Sequence, residues 1–298
     1  MAEIQDGTAQ RESRLAIIAL LTGALIWGLI WYPYRVLRDA GVDGILATTV
    51  SYSVAFVLGL LLFRRSSAKI NYSWSLFWLA LSAAGCNLGY VLATLEGEIV
   101  RVLLLFYLAP LWTVLLSRAL LDERLNRIGS FVIALSLAGA ATVLWQPKIG
   151  LPVPQDLADW LGLGAGFSFA LFNVLSRQVQ GVSIEAKSMT AFLGVIVVGF
   201  VLMLFGLGTP KVPSEGSFGM VFGLIFLIGM TLVVANLVVQ YGLMRVASNR
   251  AIVIMLSEVG FAAVSSWLLA DEAIGVRECV GGLMIVAAST LSAKMKSD

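Results

Sequence analysis

The chain has 298 residues, of which 59% are hydrophobic and 13% are charged, and its mean hydropathy is +0.92. A soluble domain carries roughly a quarter charged residues, so this composition excludes an ordinary soluble protein. The net charge is +2, and histidine is absent. Because histidine is the usual proton shuttle and the commonest metal ligand, we expect no metal and no histidine-based catalytic site.

Ten apolar runs predict ten membrane spans, since about 20 apolar residues are needed to cross a hydrocarbon layer of roughly 30 Å. In chain order they are Leu15 to Leu37, Ile45 to Phe63, Trp74 to Leu95, Val100 to Leu121, Ile128 to Trp145, Trp160 to Leu175, Ala186 to Leu207, Phe218 to Leu243, Ala251 to Leu269 and Val276 to Leu291. These runs leave no room for a soluble domain.

Motifs of the third to fifth spans recur in the eighth to tenth at a constant spacing of 149 residues. The matched pairs are Asn87-Leu88 with Asn236-Leu237, Arg101 with Arg250, and Asp122-Glu123 with Asp271-Glu272. The first two spans match the sixth and seventh at 139 to 140 residues. Each unit holds five spans, and because five is odd the second unit must cross in the opposite sense. The predicted fold is therefore an all-α membrane protein of ten transmembrane helices in two inverted five-helix repeats, as in many secondary transporters.

The repeat divides the chain into five segments. They are an N-terminal tail (1–14), the first repeat (15–145), a proline-rich linker (146–158), the second repeat (159–294) and a C-terminal tail (295–298). The polar N-terminus argues against a cleaved signal peptide, so we expect the first span to remain as a membrane anchor.

The distribution of basic residues predicts the orientation. Of the 20 Lys and Arg residues, six fall on the side away from the N-terminus: Arg35, Arg38, Arg101, Lys148, Lys211 and Arg277. The other 14 share a side with both termini. Because cytoplasmic loops carry the excess of positive charge, both termini are predicted to be cytoplasmic.

Several short motifs carry a resemblance to a known family. They are Leu108-Ala109-Pro110-Leu111-Trp112, Leu121-Asp122-Glu123-Arg124, and the echoes Leu269-Ala270-Asp271-Glu272 and Gly281-Gly282. Together with the repeat, they make the chain resemble the ten-helix EamA-type exporters of the drug/metabolite transporter superfamily from Leu15 to Leu291. Within that superfamily it is most similar to bacterial aromatic amino-acid exporters. The resemblance implies export of a small molecule across a bacterial inner membrane by a monomer in the lipid bilayer, without a cofactor or nucleic acid.

Aromatic residues away from the span ends are the best clue to the substrate. Trp and Tyr normally collect at the membrane interfaces, whereas Trp27 and Trp112 lie near the middle of their spans. Trp27 and Trp31 are four residues apart and share one helix face. These rings either pack against neighbouring helices or form a wall on which a flat apolar substrate stacks.

Polar side chains within the spans narrow the choice of helices. They are Asn87 and Tyr90 in the third span, Asn173 in the sixth, and Asn236 and Gln240 in the eighth. Their amides either bond helices together, typically by about 0.6–2 kcal/mol, or bind the amino or carboxyl group of a substrate. The sequence leaves both interpretations open.

Glu258 is the acid that lies well inside a predicted span. Insertion of an ionised acid there costs about 2.5–3.5 kcal/mol, so such residues are usually functional. Glu258 could couple transport to protons, attract the substrate's ammonium group, or pair with an arginine such as Arg35. Pro33 and Pro110 should interrupt the first and fourth helices, either as tolerated kinks or as gating hinges. Val259 replaces Pro110 in the second repeat, so the two halves need not bend alike.

Other function classes fit less well. An enzyme would need a nucleophile with its base, a metal cluster or paired carboxylates, and we identify no catalytic residues. An ATP-driven pump would need a phosphate-binding loop, and the chain has no GxxxxGK[ST] motif. A channel is less probable than a transporter, because charge within the spans is scarce. Phosphorylated or nucleoside-like substrates are the main alternative, although they would require Lys or Arg in the cavity.

The inverted repeat predicts that Asp122 is cytoplasmic and Asp271 external. In cells whose protein lacks Cys86 and Cys279, a membrane-impermeant maleimide should label a cysteine at position 271 directly. A cysteine at position 122 should react only after permeabilisation. Labelling of both positions from the same side would contradict the inversion.

Overall fold

The structure is a computed structural model that describes residues 2–62, 73–121, 127–146, 151–179, 181–208, 218–246, 251 and 254–292. Its helices are α1 (Ala2–Leu29), α2 (Trp31–Asp39), α3 (Gly44–Leu62), α4 (Trp74–Glu96), α5 (Ile99–Phe106), α6 (Ala109–Leu121), α7 (Arg127–Val143), α8 (Leu157–Gln178), α9 (Ile184–Leu204), α10 (Phe218–Leu243), α11 (Ser257–Ala270) and α12 (Val276–Ser292). Within these residues, the extended structure is one antiparallel ribbon of β1 (Trp145–Gln146) and β2 (Leu151–Pro152).

Seven segments are long and apolar enough to cross a membrane. They are Arg14–Asp39, Gly44–Leu62, Trp74–Glu96, Ile99–Leu121, Leu157–Gln178, Ile184–Leu204 and Phe218–Leu243. The helices α7 and α11 are apolar but shorter, and α12 has 17 residues. The helical class and seven of the ten predicted spans are thus confirmed.

Large apolar side chains cover the outside of the bundle. Phe205 is 80% exposed, Phe222 75% and Leu283 72%. A soluble protein rarely exposes so many apolar side chains, whereas lipid tails solvate them well. The exposed surface therefore agrees with a membrane protein.

Two predicted spans are each built from two helices. The first breaks at Ile30, between α1 and α2, and the fourth breaks at Tyr107-Leu108, between α5 and α6. Pro33 and Pro110 lie just after these breaks, where proline removes one backbone N–H and its ring displaces the preceding turn. The prediction that these prolines interrupt their helices agrees with the structure.

Helices extend into two of the predicted connecting segments. The segment 1–14 is helical from Ala2, because its residues are mostly good helix formers without proline. Within the linker predicted over 146–158, α8 begins at Leu157. Asp156 caps this helix by accepting a hydrogen bond from the Asp159 N–H over 3.0 Å.

The third span of each half packs against the first two spans of the other half. The helix α4 packs against α8 and α9, whereas α10 packs against α1 and α3. A Cβ on Gly229 of α10 would lie 2.7 Å from Val54 of α3, and one on Gly194 of α9 would lie 2.3 Å from the Ala80 carbonyl of α4. Ala80 precedes Gly229 by 149 residues and Gly194 follows Val54 by 140, the two spacings of the sequence repeat. The two close contacts are therefore related by that repeat.

The glycine run of α8 forms a packing surface against α5. A Cβ on Gly166 would lie 2.4 Å from the Phe106 carbonyl oxygen, and one on Gly162 would lie 3.3 Å from that of Val102. Gly164 lies between them and faces open space. Only glycine at position 166 lets α8 approach the end of α5 this closely.

Gly219 and Gly223 of α10 behave differently. Their four-residue spacing is typical of close-packing helix surfaces, but a Cβ at either position would meet nothing within 4 Å. The spacing gives two residues a common face without determining what that face contacts.

Gly166→Ala should destabilise the protein by about 1–3 kcal/mol, because the added methyl group overpacks α8 against the Phe106 carbonyl. Gly164→Ala, two residues away on the same helix, should be neutral or stabilising by up to about 1 kcal/mol, since alanine is the better helix former. Thermal unfolding of both purified variants in detergent would measure the difference. Equal melting temperatures would contradict the packing described for Gly166.

Candidate substrate site

The break between α5 and α6 lies against the beginning of α11. The Tyr107 hydroxyl donates a hydrogen bond of 2.9 Å to a carboxylate oxygen of Glu258. Glu258 is the second residue of α11, so its carboxylate also faces the partly positive end of a helix. Two elements far apart in sequence therefore hold one carboxylate inside the bundle.

The chain also breaks directly before α11. Leu256 forms a turn between the helical residue Met255 and Ser257. Met255 follows Phe106, the last residue of α5, by 149 residues, so the two breaks are repeat-related. Both halves therefore break at this position, although Val259 stands in the second half where the first has Pro110.

Packing against α1 fixes the beginning of α11. A Cβ on Gly28 would lie 3.0 Å from the Glu258 carbonyl oxygen and 2.8 Å from Phe261. Gly28 follows Trp27 in α1, and Trp27 is half-buried against the largest hydrophobic cluster. The missing side chain at position 28 thus places α11 directly beside Trp27.

Two of the aromatic side chains predicted to shape the site carry a buried polar atom that has no hydrogen-bond partner among the described residues. These atoms are the Tyr90 hydroxyl and the indole nitrogen of Trp112. The Tyr90 ring lies edge-on to Phe106, with centroids 5.5 Å apart, and Trp112 lies edge-on to Phe167 at the same distance. Most buried polar groups are bonded, so these two donors are suited to a polar ligand or water.

The site lies where two hydrophobic clusters meet. Tyr107 and Val259 pack against both clusters, whereas Trp27 packs against the larger one and Trp112 against the smaller. Tyr90 is 8% exposed within the larger cluster. Rings from α1, α4 and α6 therefore belong to, or pack against, the two clusters that Tyr107, the partner of Glu258, also contacts.

Trp31 has a different role from Trp27. It is 1% exposed, and its indole N–H donates a 3.1 Å hydrogen bond to the Ser265 hydroxyl of α11. The Arg35 guanidinium lies 5.1 Å from the centre of the Trp31 ring. These contacts tie α2 to α11 behind the site.

The two repeat-related asparagines bond neighbouring helices. Asn87 accepts a hydrogen bond from the Tyr52 hydroxyl of α3 and donates one of 2.8 Å to the Ala83 carbonyl. Asn236 lies 3.3 Å from the Ser188 hydroxyl of α9. In each half, the asparagine of the third span is thus bonded to the second span, as the helix-bonding interpretation predicts.

The remaining predicted polar residues lie elsewhere. Asn173 is half-buried near the end of α8, and Gln240 is half-buried in α10 one turn after Asn236. Asn236 and Gln240 line one cavity of about 490 Å³ between α1, α9 and α10, together with Ala19, Glu185, Ser188 and Tyr241. Its volume is within the usual range for a small-molecule site, about 300–1,000 Å³.

Ionic contacts close the end of the bundle opposite to this cavity. Arg35 of α2 forms a 3.0 Å salt bridge with Glu272, which follows α11, and donates a 2.7 Å hydrogen bond to the Gly97 carbonyl. Glu272 also accepts a 2.7 Å bond from the Ile99 N–H at the beginning of α5. Arg35 therefore pairs with Glu272 rather than with Glu258, the partner considered from the sequence.

The surroundings of Glu272 act in opposite directions on its proton affinity. Burial raises the pKa of its carboxyl group, and this effect outweighs the Ile99 N–H and the Arg35 charge, which lower the pKa.

A second ion pair braces the same end. Arg101 forms a bidentate pair with Asp159, with nitrogen–oxygen distances of 2.7 and 2.8 Å, and donates a 2.9 Å bond to the Val143 carbonyl. The Asp159 side chain is 1% exposed. The repeat partner of Arg101, which is Arg250, lies outside the described residues, and so does the acidic pair at 122–123.

Three residues of this region were not found from the sequence. Tyr107 and Ser265 are partners of predicted residues, but a contact across 151 or 234 positions leaves no local signal. Glu185 directly precedes the seventh predicted span, so its pattern is that of a loop acid. Among the described residues, no group of three His, Cys, Asp or Glu side chains could hold a metal ion.

Comparison with known proteins shows the family. The model of the EamA-like transporter family matches residues 14–145 and again residues 156–293. One solved crystal structure has the same fold, with a TM-score of 0.61 over 93% of this chain and 95% of that one, at 16% identity.

Three curated relatives are similar over part of the chain. They are the protein RarD of Streptomyces exfoliatus (27% identical over 70% of this chain and 66% of that protein), the uncharacterized transporter YojE of Bacillus subtilis (25%, 66% and 64%) and the uncharacterized transporter PA0485 of Pseudomonas aeruginosa (25%, 70% and 69%). The chain thus spans about two thirds of the length of these relatives. With its apolar helices and the match to both halves, the chain is a multi-pass membrane protein that belongs to the EamA-like transporter family.

Proposed function

We propose that this transporter exports amino acids with bulky apolar or aromatic side chains across a bacterial inner membrane. Transport is secondary or facilitative and works by alternating access between two inverted five-helix repeats, with both termini cytoplasmic. Other small metabolites or drugs are the alternative substrates.

The observation that carries the proposal is the half-buried carboxylate of Glu258 beside two hydrophobic clusters that contain aromatic rings. Tyr107 holds it at 2.9 Å, and Tyr90 and Trp112, which belong to these clusters or pack against them, carry unpartnered polar atoms. An ammonium group would pair with the carboxylate, and ring faces add cation–π attraction of roughly 0.5–2 kcal/mol. The apolar part of the substrate would stack on Trp27 and Trp112.

The positions of the cations disfavour phosphorylated substrates. Arg35 and Arg101, the two arginines that come near the span interiors, are already bonded to Glu272 and Asp159. The Lys187 amine donates a 2.6 Å hydrogen bond to the Ser176 carbonyl. Binding of a phosphate by any of these groups would require an existing contact to break.

Three observations support the inverted repeat. The residues of the close contact Gly229–Val54 stand 149 and 140 positions from those of the close contact Gly194–Ala80, so the repeat relates one contact to the other. The helix breaks after Phe106 and Met255 are related in the same way. The family model also matches the chain in two stretches, 14–145 and 156–293. Two related units of opposite sense could rock about the substrate site between them.

Contacts at the two ends of α1–α2 support alternating access. Arg35 closes one end through Glu272, whereas the cavity of about 490 Å³ lies beside Ala19 near the other. This arrangement corresponds to a state closed on the predicted external side. Pro33 and Pro110 lie at breaks where the helices could bend during the transition.

Glu258→Gln should reduce counterflow of labelled phenylalanine in proteoliposomes by tenfold or more, because an amide cannot pair with an ammonium group. Tyr107→Phe should have a smaller effect of about three- to tenfold, since it removes one hydrogen bond to a charged group. Glu96→Gln, an exposed acid at the end of α4, is the matched control and should transport normally.

A pH gradient separates substrate binding from proton coupling. If Glu258 carries a proton, a gradient should drive uptake by the wild type and leave Glu258→Gln unaffected. Unchanged phenylalanine transport by Glu258→Gln at every pH would contradict both roles.

Glu272→Gln should loosen the closed end, because it removes the charge that Arg35 and the Ile99 N–H bind. A cysteine placed at Leu95, which is 3% exposed, should then react several-fold faster with an impermeant thiol reagent. Asp39→Asn provides the control, since its pair with Arg38 at 3.5 Å is exposed. Equal reaction rates in the wild type, Glu272→Gln and Asp39→Asn would show that the salt bridge between Arg35 and Glu272 does not restrict access of the reagent to position 95.

A further inference from the structure

The cavity between α1, α9 and α10 has a chemically mixed lining. Glu185 supplies one carboxylate, and Asn236 and Gln240 supply two amides. Ala19 and Leu237 belong to the apolar wall, and Leu237 is 41% exposed. A ligand with one positive group, one negative group and an apolar body complements this combination.

Glu185 is available to such a ligand. None of the salt bridges in the described part of the chain includes it. The nearby Lys187 is directed to the Ser176 carbonyl of α8 at 2.6 Å. A carboxylate that lines a cavity and forms no salt bridge with a described residue is a natural partner for an ammonium group.

The amides can serve the opposite charge. The Asn236 carbonyl oxygen faces the Ser188 hydroxyl at 3.3 Å, which leaves its NH₂ group as a donor. Gln240 lies one turn further along the same face of α10. The Arg245 guanidinium, 4.0 Å from the centre of the Tyr241 ring, adds positive charge beside the cavity.

The cavity and the Glu258 carboxylate follow one another along α1. Ala19 lines the cavity, and Gly28 contacts the Glu258 backbone. Nine residues of helix separate them, which corresponds to roughly 13 Å at 1.5 Å per residue. The two carboxylates therefore belong to sites at successive levels of one helix.

We infer that this cavity is a loading site for a primary ammonium group carried on an apolar body. Glu185 binds the ammonium group, and the amides of Asn236 and Gln240 bind the carboxylate of a zwitterion. The inference rests on the proposed function for the zwitterionic substrate. The ammonium site itself depends only on the geometry of the cavity.

The test places a reporter cysteine at Leu237 in a background where Cys86 and Cys279 are alanine. In an uncharged detergent, the reporter is treated with cationic aminoethyl and anionic sulfonatoethyl methanethiosulfonate, each normalised to the uncharged methyl reagent. The cationic reagent should react at least several-fold faster. Glu185→Gln should abolish this preference, Glu185→Asp should retain part of it, and the exposed control Glu96→Gln should leave it unchanged.

Protection of the reporter tests the ligand class. Phenethylammonium and phenylalanine should slow modification, whereas 3-phenylpropionate, which lacks the amine, should not. Glu185→Gln should weaken protection by phenethylammonium at least tenfold. Phosphatidylethanolamine, added separately, tests a lipid headgroup as the source of the ammonium, and protection by this lipid alone would overturn the loading of a soluble substrate.

The outcomes separate this inference from the proposed function. Protection by phenethylammonium without phenylalanine transport would refute the substrate assignment and retain the ammonium site. Transport with unchanged charge preference and protection in Glu185→Gln would refute the loading site and retain the transporter.

Discussion

The two helix breaks between α5 and α6 and before α11 hold one carboxylate within a predicted membrane span. An ionised acid at that depth costs about 2.5–3.5 kcal/mol. A hydrogen bond to a charged group returns about 1.5–3 kcal/mol, and a helix N-terminus adds roughly 0.3–1 kcal/mol. Glu258 has both, through Tyr107 and through its place in the first turn of α11. These terms approximately balance, so the acid is tolerated without an ion pair to another described residue.

The helix breaks provide both compensating contacts. Without the break after Phe106, Tyr107 would continue the regular helix, and without the turn at Leu256, Glu258 would lie in a helix interior rather than at its beginning. Glycines allow neighbouring helices to pack closely against the broken ends. The Phe106 carbonyl lies against Gly166, and the beginning of α11 lies against Gly28. The polar chemistry of the site therefore requires close backbone approach at positions that carry no side chain.

Much of the architecture could be predicted from the sequence, because hydropathy over about 20 residues is a local property. The breaks near Pro33 and Pro110 were also predictable, since proline acts on its own helix. The break at Leu256 has no proline and depends on packing, so no local pattern indicated it. The contact between Tyr107 and Glu258 joins residues 151 positions apart, and Glu185 precedes its predicted span by one residue. Asn87 and Asn236 were recognised as polar residues, but only the structure identified their partners on α3 and α9.

The two breaks have unequal origins, and this has a mechanical consequence. The bend before α6 is built into the covalent ring of Pro110, whereas the turn at Leu256 is held by its neighbours. A bend imposed by a pyrrolidine ring survives when its surroundings rearrange, but a bend imposed by packing can straighten. The turn at Leu256 can therefore straighten more readily than the one at Tyr107-Leu108, so two breaks at repeat-related positions differ in how firmly they are fixed.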